Sequence, residues 1–405
     1  MKSPGILSPL RRGAFRQLWV GMSLSYAGDR LQELAQAWLV ATLTQSALAV
    51  AGPAILASIP QLLMPLGGVI ADQVNRRRLL IVGQWVGATL TLIIAVLVFT
   101  GSIAIWHIYV WAFISGLIWL FSRPAYKVVL TEAVPQAEVR SAAAINSVTE
   151  TSAMVVVNVT GSLLLAFIGL PIAFLLNSLS YAAAGIGLAG LRDADHSPVT
   201  RSGSGAFSAG QIVTDLRDGL SYLIHQPQLL HPLLLTFLTV AVTSPTFGLL
   251  AAIVHAQGGS IIGLGLLSAA GSLGSLIGAI YAGMRSEGAD PSRRYALYGI
   301  AAALAVVMFA ILPIGYITPF ALAVVGFILF AEAVWNTSRV RLTADRDYQA
   351  RVQALATMAF TLGGALGQLW GGAAVDRFGT PSLVIGAIIL GSVSVGTLLA
   401  ARGQK

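Results

Sequence analysis

Apolar runs of about twenty residues, the length a helix needs to cross a hydrocarbon core, recur along the whole chain. Short breaks carrying polar residues, glycine or proline separate them. Runs such as 79–99 show no strict alternation of polar and apolar residues, so they predict helices and not the strands of a barrel. The breaks predict spans near 15–43, 48–71, 79–100, 104–122, 142–166, 169–190, 230–256, 260–284, 295–315, 318–337, 352–374 and 381–401. The expectation is an all-α membrane protein with twelve transmembrane helices.

Offsets of 210 residues relate the two halves. Gly68 maps to Gly278, Gly161 to Gly371 and Pro171 to Pro381, and "LTEAVPQAEVR" at 130–140 recurs loosely as "LTADRDYQAR" at 342–351. This register predicts two pseudo-symmetric six-helix bundles, residues 1–190 and 230–405. Parallel repeats of this kind place a substrate path between the halves near the bilayer midplane. Residues 191–229 join them: 191–211 is polar and Ser/Gly-rich, and Ile212, Leu216, Leu220 and Leu223 then fall at helical spacing. A cytoplasmic linker ending in an amphipathic surface helix is expected.

Composition adds orientation. Hydrophobic residues make up 56% of the 405 and charged residues only 10%, which excludes an ordinary soluble domain. The net charge of +8 invites a nucleic-acid reading, but 22 of the 24 Lys and Arg lie at the termini and in alternate loops, leaving Arg30 and Arg377 as exceptions. That asymmetry puts both termini in the cytoplasm of a multi-pass protein of the plasma (inner) membrane and makes nucleic acid an unnecessary partner. Arg11, Arg12 and Arg16 precede a long first span without a small-residue cleavage site, so this span is expected to remain as an anchor. With no cysteine, disulfides, thiol catalysis and zinc-thiolate sites are excluded. No phosphate-binding Gly-Lys loop occurs either, and neither a cofactor nor enzymatic activity is expected.

The stretch "GGVIADQVNRRRLL" at 67–80 concentrates charge in the first cytoplasmic loop. Gly68, Asp72, Arg76 and Arg77 match the signature Gly-x-x-x-Asp-x-x-Gly-Arg-[Arg/Lys], with Asn75 in place of its second glycine. The chain thereby resembles the major facilitator superfamily. "FRQLWVGMSLSYAGDRLQELAQAWLV", "AFLLNSLSYAAA" and "LRDGLSYLIHQPQLL" resemble its exporter branch of macrolide-efflux and enterobactin-exporter-like proteins. The resemblance implies alternating access, with Asp72 latching near Arg351 at the start of span 11 when the cytoplasmic side closes. Ala282 stands where the second half would repeat the acid, so any latch is asymmetric. The Gly-Pro pair common in span 5 of proton-coupled drug exporters is Val157 and Asn158 here, a departure from the antiporter pattern.

Charges within spans are costly and mark candidate sites. Asp29 and Glu33 share one helical face, which disfavours their joint ionisation, and Arg30 can reach Glu33 at i, i+3. Glu150 has no charged neighbour in its own span, and Glu332 stands near Arg339 and Arg341. Asp29, Glu33, Glu150 and Glu332 are the candidates for proton or cation coupling. Arg30, Trp38, Trp111, Trp119 and Trp335 are candidates for the cavity, since the resemblance implies that spans 1, 4, 7 and 10 face it. Arg123 and Lys127 read as interfacial anchors, and so does the lone His255, with a cation site shared with Asp29 as the weaker alternative. The predicted function is secondary export of an amphiphilic drug, siderophore or metabolite by a monomer, in exchange for protons. A lysophospholipid or cation transporter, a facilitator, and a non-transporting receptor on the same fold are the alternatives. Expected partners are the small-molecule or lipid substrate, protons and membrane lipids.

Overall fold

The computed structural model describes residues 5, 7–64, 74–190, 209–285, 291–313, 315 and 317–403, and these are helical with no strand. The helices are α1 (Gly13–Leu43), α2 (Ala47–Gln61), α3 (Arg76–Phe99), α4 (Ile105–Glu132), α5 (Val139–Ile168), α6 (Leu170–Gly190), α7 (Ala209–Ile224), α8 (Pro227–Gly248), α9 (Leu250–Ala256), α10 (Ile261–Met284), α11 (Pro291–Ile311), α12 (Thr318–Thr343), α13 (Gln349–Phe378) and α14 (Leu383–Gly403). Among the described residues nine helices are long and apolar enough to cross a membrane, or ten when the bent α5 is counted. The 31-residue α1 is long enough, but Arg16, Asp29, Arg30 and Glu33 make it more polar than those nine.

Exposure is inverted relative to a water-soluble protein. Thr91, Asn177, Thr239, Thr243, Glu332 and Ser394 are fully buried, while Ile385, Ile388 and Ile389 of α14 and Leu92, Ile93 and Val96 of α3 face outward. Lipid tails solvate the outward apolar face, so helix contacts gain little from hydrophobic burial and depend on close packing and internal hydrogen bonds. The crossing of α10 and α12 shows this directly. A Cβ on Gly274 would lie 1.9 Å from the Ala323 carbonyl oxygen, and one on Gly278 would lie 2.2 Å from that of Phe327.

Breaks between helices follow local chemistry. Asn75, the residue that departs from the loop signature, caps α3 by accepting from the Arg78 amide at 3.0 Å. α5 and α13 each have 30 residues at an offset of 210, and each ends on a glycine in the left-handed region, Gly169 at φ 77° and Gly379 at φ 76°. Pro171 and Pro381 follow at the same offset. The expected repeat is thus matched in backbone conformation at the ends of these two helices.

The seventh predicted span is interrupted: α8 ends at Gly248 and α9 begins at Leu250. Pro245 lies inside α8 and has no amide hydrogen for the carbonyl of Ala241 four residues earlier. The Trp370 indole of α13 supplies the missing donor, at 3.0 Å from the Ala241 oxygen. The chain forms two compact units, unit 1 (Met1–Leu39, Ile59–Phe207) and unit 2 (Val40–Ser58, Ser208–Lys405), and the contacts of Pro245, Ala241 and Trp370 lie within unit 2.

Trp370→Phe removes a hydrogen bond to a carbonyl that has lost its helical donor, at a cost of about 1 kcal/mol. Thermal unfolding of the detergent-purified chain should show this loss, and it should shrink in the Pro245→Ala background, where an amide donor returns. Equal losses in the two backgrounds would refute the pairing.

Candidate functional site

Within unit 1 a cavity containing about 670 Å³ of empty space, its open mouth included, opens among α1, α3, α4, α5 and α6. Asp29, Glu150, Arg123 and Trp119 line it, together with Tyr26, Tyr126 and Tyr181. Three aromatic hydroxyls, one indole, two acids and one guanidinium thus share a space whose remaining wall is made of the amides Gln84 and Asn146, small hydroxyl residues, Met22 and Ile118.

Asp29 is held by α6. The Tyr181 hydroxyl donates to its Oδ1, and Asn177 Nδ2 donates to the same oxygen at 3.3 Å. Asn177 is fully buried and also donates to Gln32 Oε1 at 2.6 Å, while its own carbonyl oxygen accepts from Ser180 Oγ at 2.9 Å. The close approach depends on Gly28, where a Cβ would stand 2.2 Å from Asn177 Oδ1. A charged carboxylate in a low-dielectric interior needs such donors, and α6 provides them in the sequence "NSLSY".

The expected pair on α1 therefore separates. Glu33 forms an ion pair with Arg30, and Asp29 turns to Tyr181 and Asn177. The Arg30 guanidinium lies 5.1 Å from the Tyr26 ring centroid and 5.9 Å from that of Trp119. The Arg123 guanidinium lies 4.6 Å from the Trp119 ring centroid as well. Arg123 thus lines the cavity and is not the interfacial anchor read from sequence. Cations at these distances are attracted to the negative face of an aromatic ring.

Glu150 faces the same space. Its Oε1 accepts from Asn146 Nδ2 at 2.9 Å, and Asn146 Oδ1 accepts from the Tyr126 hydroxyl at 2.8 Å. A relay of neutral groups thus links Glu150 to Tyr126, with no ion pair to Arg30 or Arg123 among the described residues.

The other sequence candidates lie elsewhere. Trp111 lies outside this cavity and donates its indole hydrogen to Thr91 Oγ1 at 3.1 Å, and Trp38 is half-buried on α1 and also absent from the lining. Trp335 is 2% exposed in unit 2, stacked on Tyr298 with centroids 5.5 Å apart, under Arg294 at 4.6 Å. Packing accounts for it more directly than a place on a cavity wall. Glu332 is fully buried in unit 2, beside the Thr236 hydroxyl and with no cation paired to its carboxylate among the described residues. Arg339 does not pair with it but donates to the Gln228 carbonyl at 3.0 Å.

The loop residues divide. Gly68 and Asp72 lie outside the described residues. Arg76 pairs with Glu132 at 3.3 Å, and Arg77 donates to the carbonyls of Leu188 and Ala189 at 2.9 Å each, closing the C-terminal end of α6. Arg351 pairs with Asp215 of α7 at 2.5 Å and approaches Asp218 at 3.9 Å. No three His, Cys, Asp or Glu side chains converge on a metal-sized site among the described residues, and His255 is not joined to Asp29 in such a group.

Sequence reasoning missed Tyr26, Tyr181, Asn177, Asn146 and Arg123 as site residues. Polar residues three to four positions apart in the apolar stretch "NSLSYAAA" were the available signal, because in lipid such a stripe must face protein.

The model of the transmembrane secretion effector family matches residues 4–402. The chain belongs to that family, a branch of the major facilitator superfamily. This member is a multi-pass membrane transporter. Its fold is similar to that of a point mutant of the nucleoside transporter NupG, at 13% identity and a TM-score of 0.72, over 96% of this chain and 99% of that one. A bacterial homologue of the human lysosomal transporter Spinster, solved inward-facing and unoccupied, matches at 12% identity and a TM-score of 0.68 over 96% of both chains. A bacterial homologue of the iron transporter ferroportin, solved inward-facing, matches at 15% identity and a TM-score of 0.63, over 95% of this chain and 98% of that one. Identities this low carry the fold and no substrate. No curated protein matches this family member by sequence.

Tyr181→Phe removes one of two donors to Asp29 and should cost about 1–3 kcal/mol of stability. In a cycle with Asp29→Asn the coupling energy should reach about 1 kcal/mol, read by thermal unfolding of purified protein. A coupling indistinguishable from zero contradicts the network.

Proposed function

We propose that this family member is a secondary exporter that binds an amphiphilic small molecule in the unit 1 cavity and moves it outward in exchange for protons. The supporting observation is the cavity's composition: Trp119, Tyr26, Tyr126 and Tyr181 offer ring surface, while Asp29, Glu150 and Arg123 line the same space. Ring faces suit the apolar body of an amphiphile, and Glu150 and Arg123 suit its polar end.

Among the candidate coupling acids, Glu33 is neutralised by Arg30 and Asp29 is tied to α6. Glu150 lines the cavity with a single neutral donor, so a proton and a substrate can compete for it. Glu332 is the corresponding candidate in unit 2, because a buried acid with no paired cation is relieved by a bound proton or cation. In this proposal the chain has twelve spans in two halves, 1–190 and 230–405, joined by the linker 191–229. Both termini lie in the cytoplasm, as the Lys and Arg distribution supports. Asp72, with Gly68, Arg76, Arg77 and Arg351, remains the proposed cytoplasmic latch.

The test uses purified full-length protein in proteoliposomes and two aromatic amphiphiles, rhodamine B and its cationic ethyl ester. An inside-acid gradient should drive accumulation of at least one dye, and a protonophore should abolish it. Glu150→Gln should reduce gradient-driven accumulation at least tenfold while leaving counterflow measurable. Movement that ignores the gradient would replace antiport with facilitation, and no movement of either dye would overturn the proposal.

A further inference from the structure

Charge in the unit 1 cavity is not fully closed into pairs. Arg30 and Glu33 neutralise each other and are not among the lining residues, and Asp29 is met by the Tyr181 hydroxyl and the Asn177 amide. Two lining groups of opposite sign remain. Glu150 accepts from the neutral Asn146, and the Arg123 guanidinium rests over the Trp119 ring with no carboxylate at ion-pair distance among the described residues.

The two charges reach the cavity from different helices, Arg123 from α4 and Glu150 from α5. The relay from Glu150 through Asn146 ends on Tyr126, three residues after Arg123 and so about one helical turn along α4. The charges thus border one part of the cavity without meeting. Opposite charges held apart in a partly water-excluded space each leave an electrostatic demand for a ligand to meet. A monocation on Glu150 would crowd Arg123 with a second positive charge, and a monoanion on Arg123 would do the same to Glu150. A ligand carrying both signs satisfies both. The rings of Tyr26 and Trp119 on the same wall offer it a flat apolar seat. A second cavity, within unit 2 and with about 560 Å³ of empty space, lacks this chemistry: Thr236, Asn336, Thr337, Gln353 and Thr357 line it with apolar neighbours and no ionisable side chain.

We propose that the unit 1 cavity selects a zwitterion, an ammonium and a carboxylate carried close together on an aromatic body, with the ammonium on Glu150 and the carboxylate on Arg123. The exporter reading makes this ligand the cargo, and the proposal rests on that reading to this extent. Selection between charge types is a property of the cavity itself and is measured without transport.

The test compares three ligands that share one aromatic body: pyrenylalanine, a zwitterion at neutral pH; its methyl ester, a monocation; and its N-acetyl derivative, a monoanion. Ser23→Cys, on the cavity wall of a chain with no cysteine, reports occupancy through protection from thiol labelling. The full chain is held in phosphatidylglycerol nanodiscs, whose lipid brings no competing zwitterion. Pyrenylalanine should protect at a concentration about tenfold or more below that of either analogue, the effect of one charge-assisted hydrogen bond. Arg123→Gln should abolish its advantage over the methyl ester and keep that over the N-acetyl derivative. Glu150→Gln should do the reverse, and Arg123→Lys, which retains the cation, should keep the original order. Equal protection by the three ligands, protection by none, or a variant that weakens all three alike would overturn the proposal. If Arg123→Gln is not monodisperse, the Glu150→Gln arm decides. Rhodamine movement together with equal protection would remove the zwitterion and leave the exporter, whereas the crossed pattern without any movement would keep the selectivity and remove the exporter.

Discussion

A polar group inside a hydrocarbon slab has only the protein to pair with, and the tie between Asp29 and Tyr181 with Asn177 is where this constraint does most to organise the chain. It fixes α1 against α6, requires a glycine at position 28, and leaves Glu33 to pair with Arg30. The rings that surround these groups then form the walls of a cavity. In water the same acids would be solvated separately and would hold no helices together.

Backbone groups obey the same rule as side chains. Pro245 removes one helical donor, and Trp370 replaces it from a neighbouring helix. Orphan amides at the start of α2 are met by Asp376, and Asn75 caps α3 where the loop signature has glycine. Glycine contacts such as those of Gly274 and Gly278 allow helices to approach at backbone distance, which compensates for the missing hydrophobic drive between them. A transporter must also move, and contacts made by a few charge-assisted hydrogen bonds can exchange between two arrangements more readily than interlocked backbones.

Much of the fold was legible in the sequence. Hydrophobic length gave the helices, and the 210-residue offset anticipated the matched ends of α5 and α13 with Gly169 and Gly379. Ionisable residues in spans pointed to Asp29 and Glu150, both of which reach the cavity. What stayed hidden was partner choice between helices. Asp29 and Glu33 look equivalent on a helical wheel, and only the neighbouring helix decides that one meets Tyr181 and the other Arg30. Trp335 and Trp119 look equally suited to a cavity, yet a stack with Tyr298 buries the first while the second faces open space. Arg123 read as an anchor because it follows the predicted end of span 4 at 122, but α4 runs on to Glu132 and places it beside Trp119.

Export by this chain, as proposed, depends on cargo binding in the unit 1 cavity. The most direct test is protection of a cysteine placed on its wall. Ser122→Cys, which lines the cavity in a chain without native cysteine, should be shielded from thiol labelling by any compound the protein moves. Protection should saturate at the concentration that half-saturates transport, and Leu273→Cys on the exposed face of α10 should remain unprotected. A compound that is transported yet leaves Ser122→Cys labelling unchanged would show that cargo does not bind in this cavity.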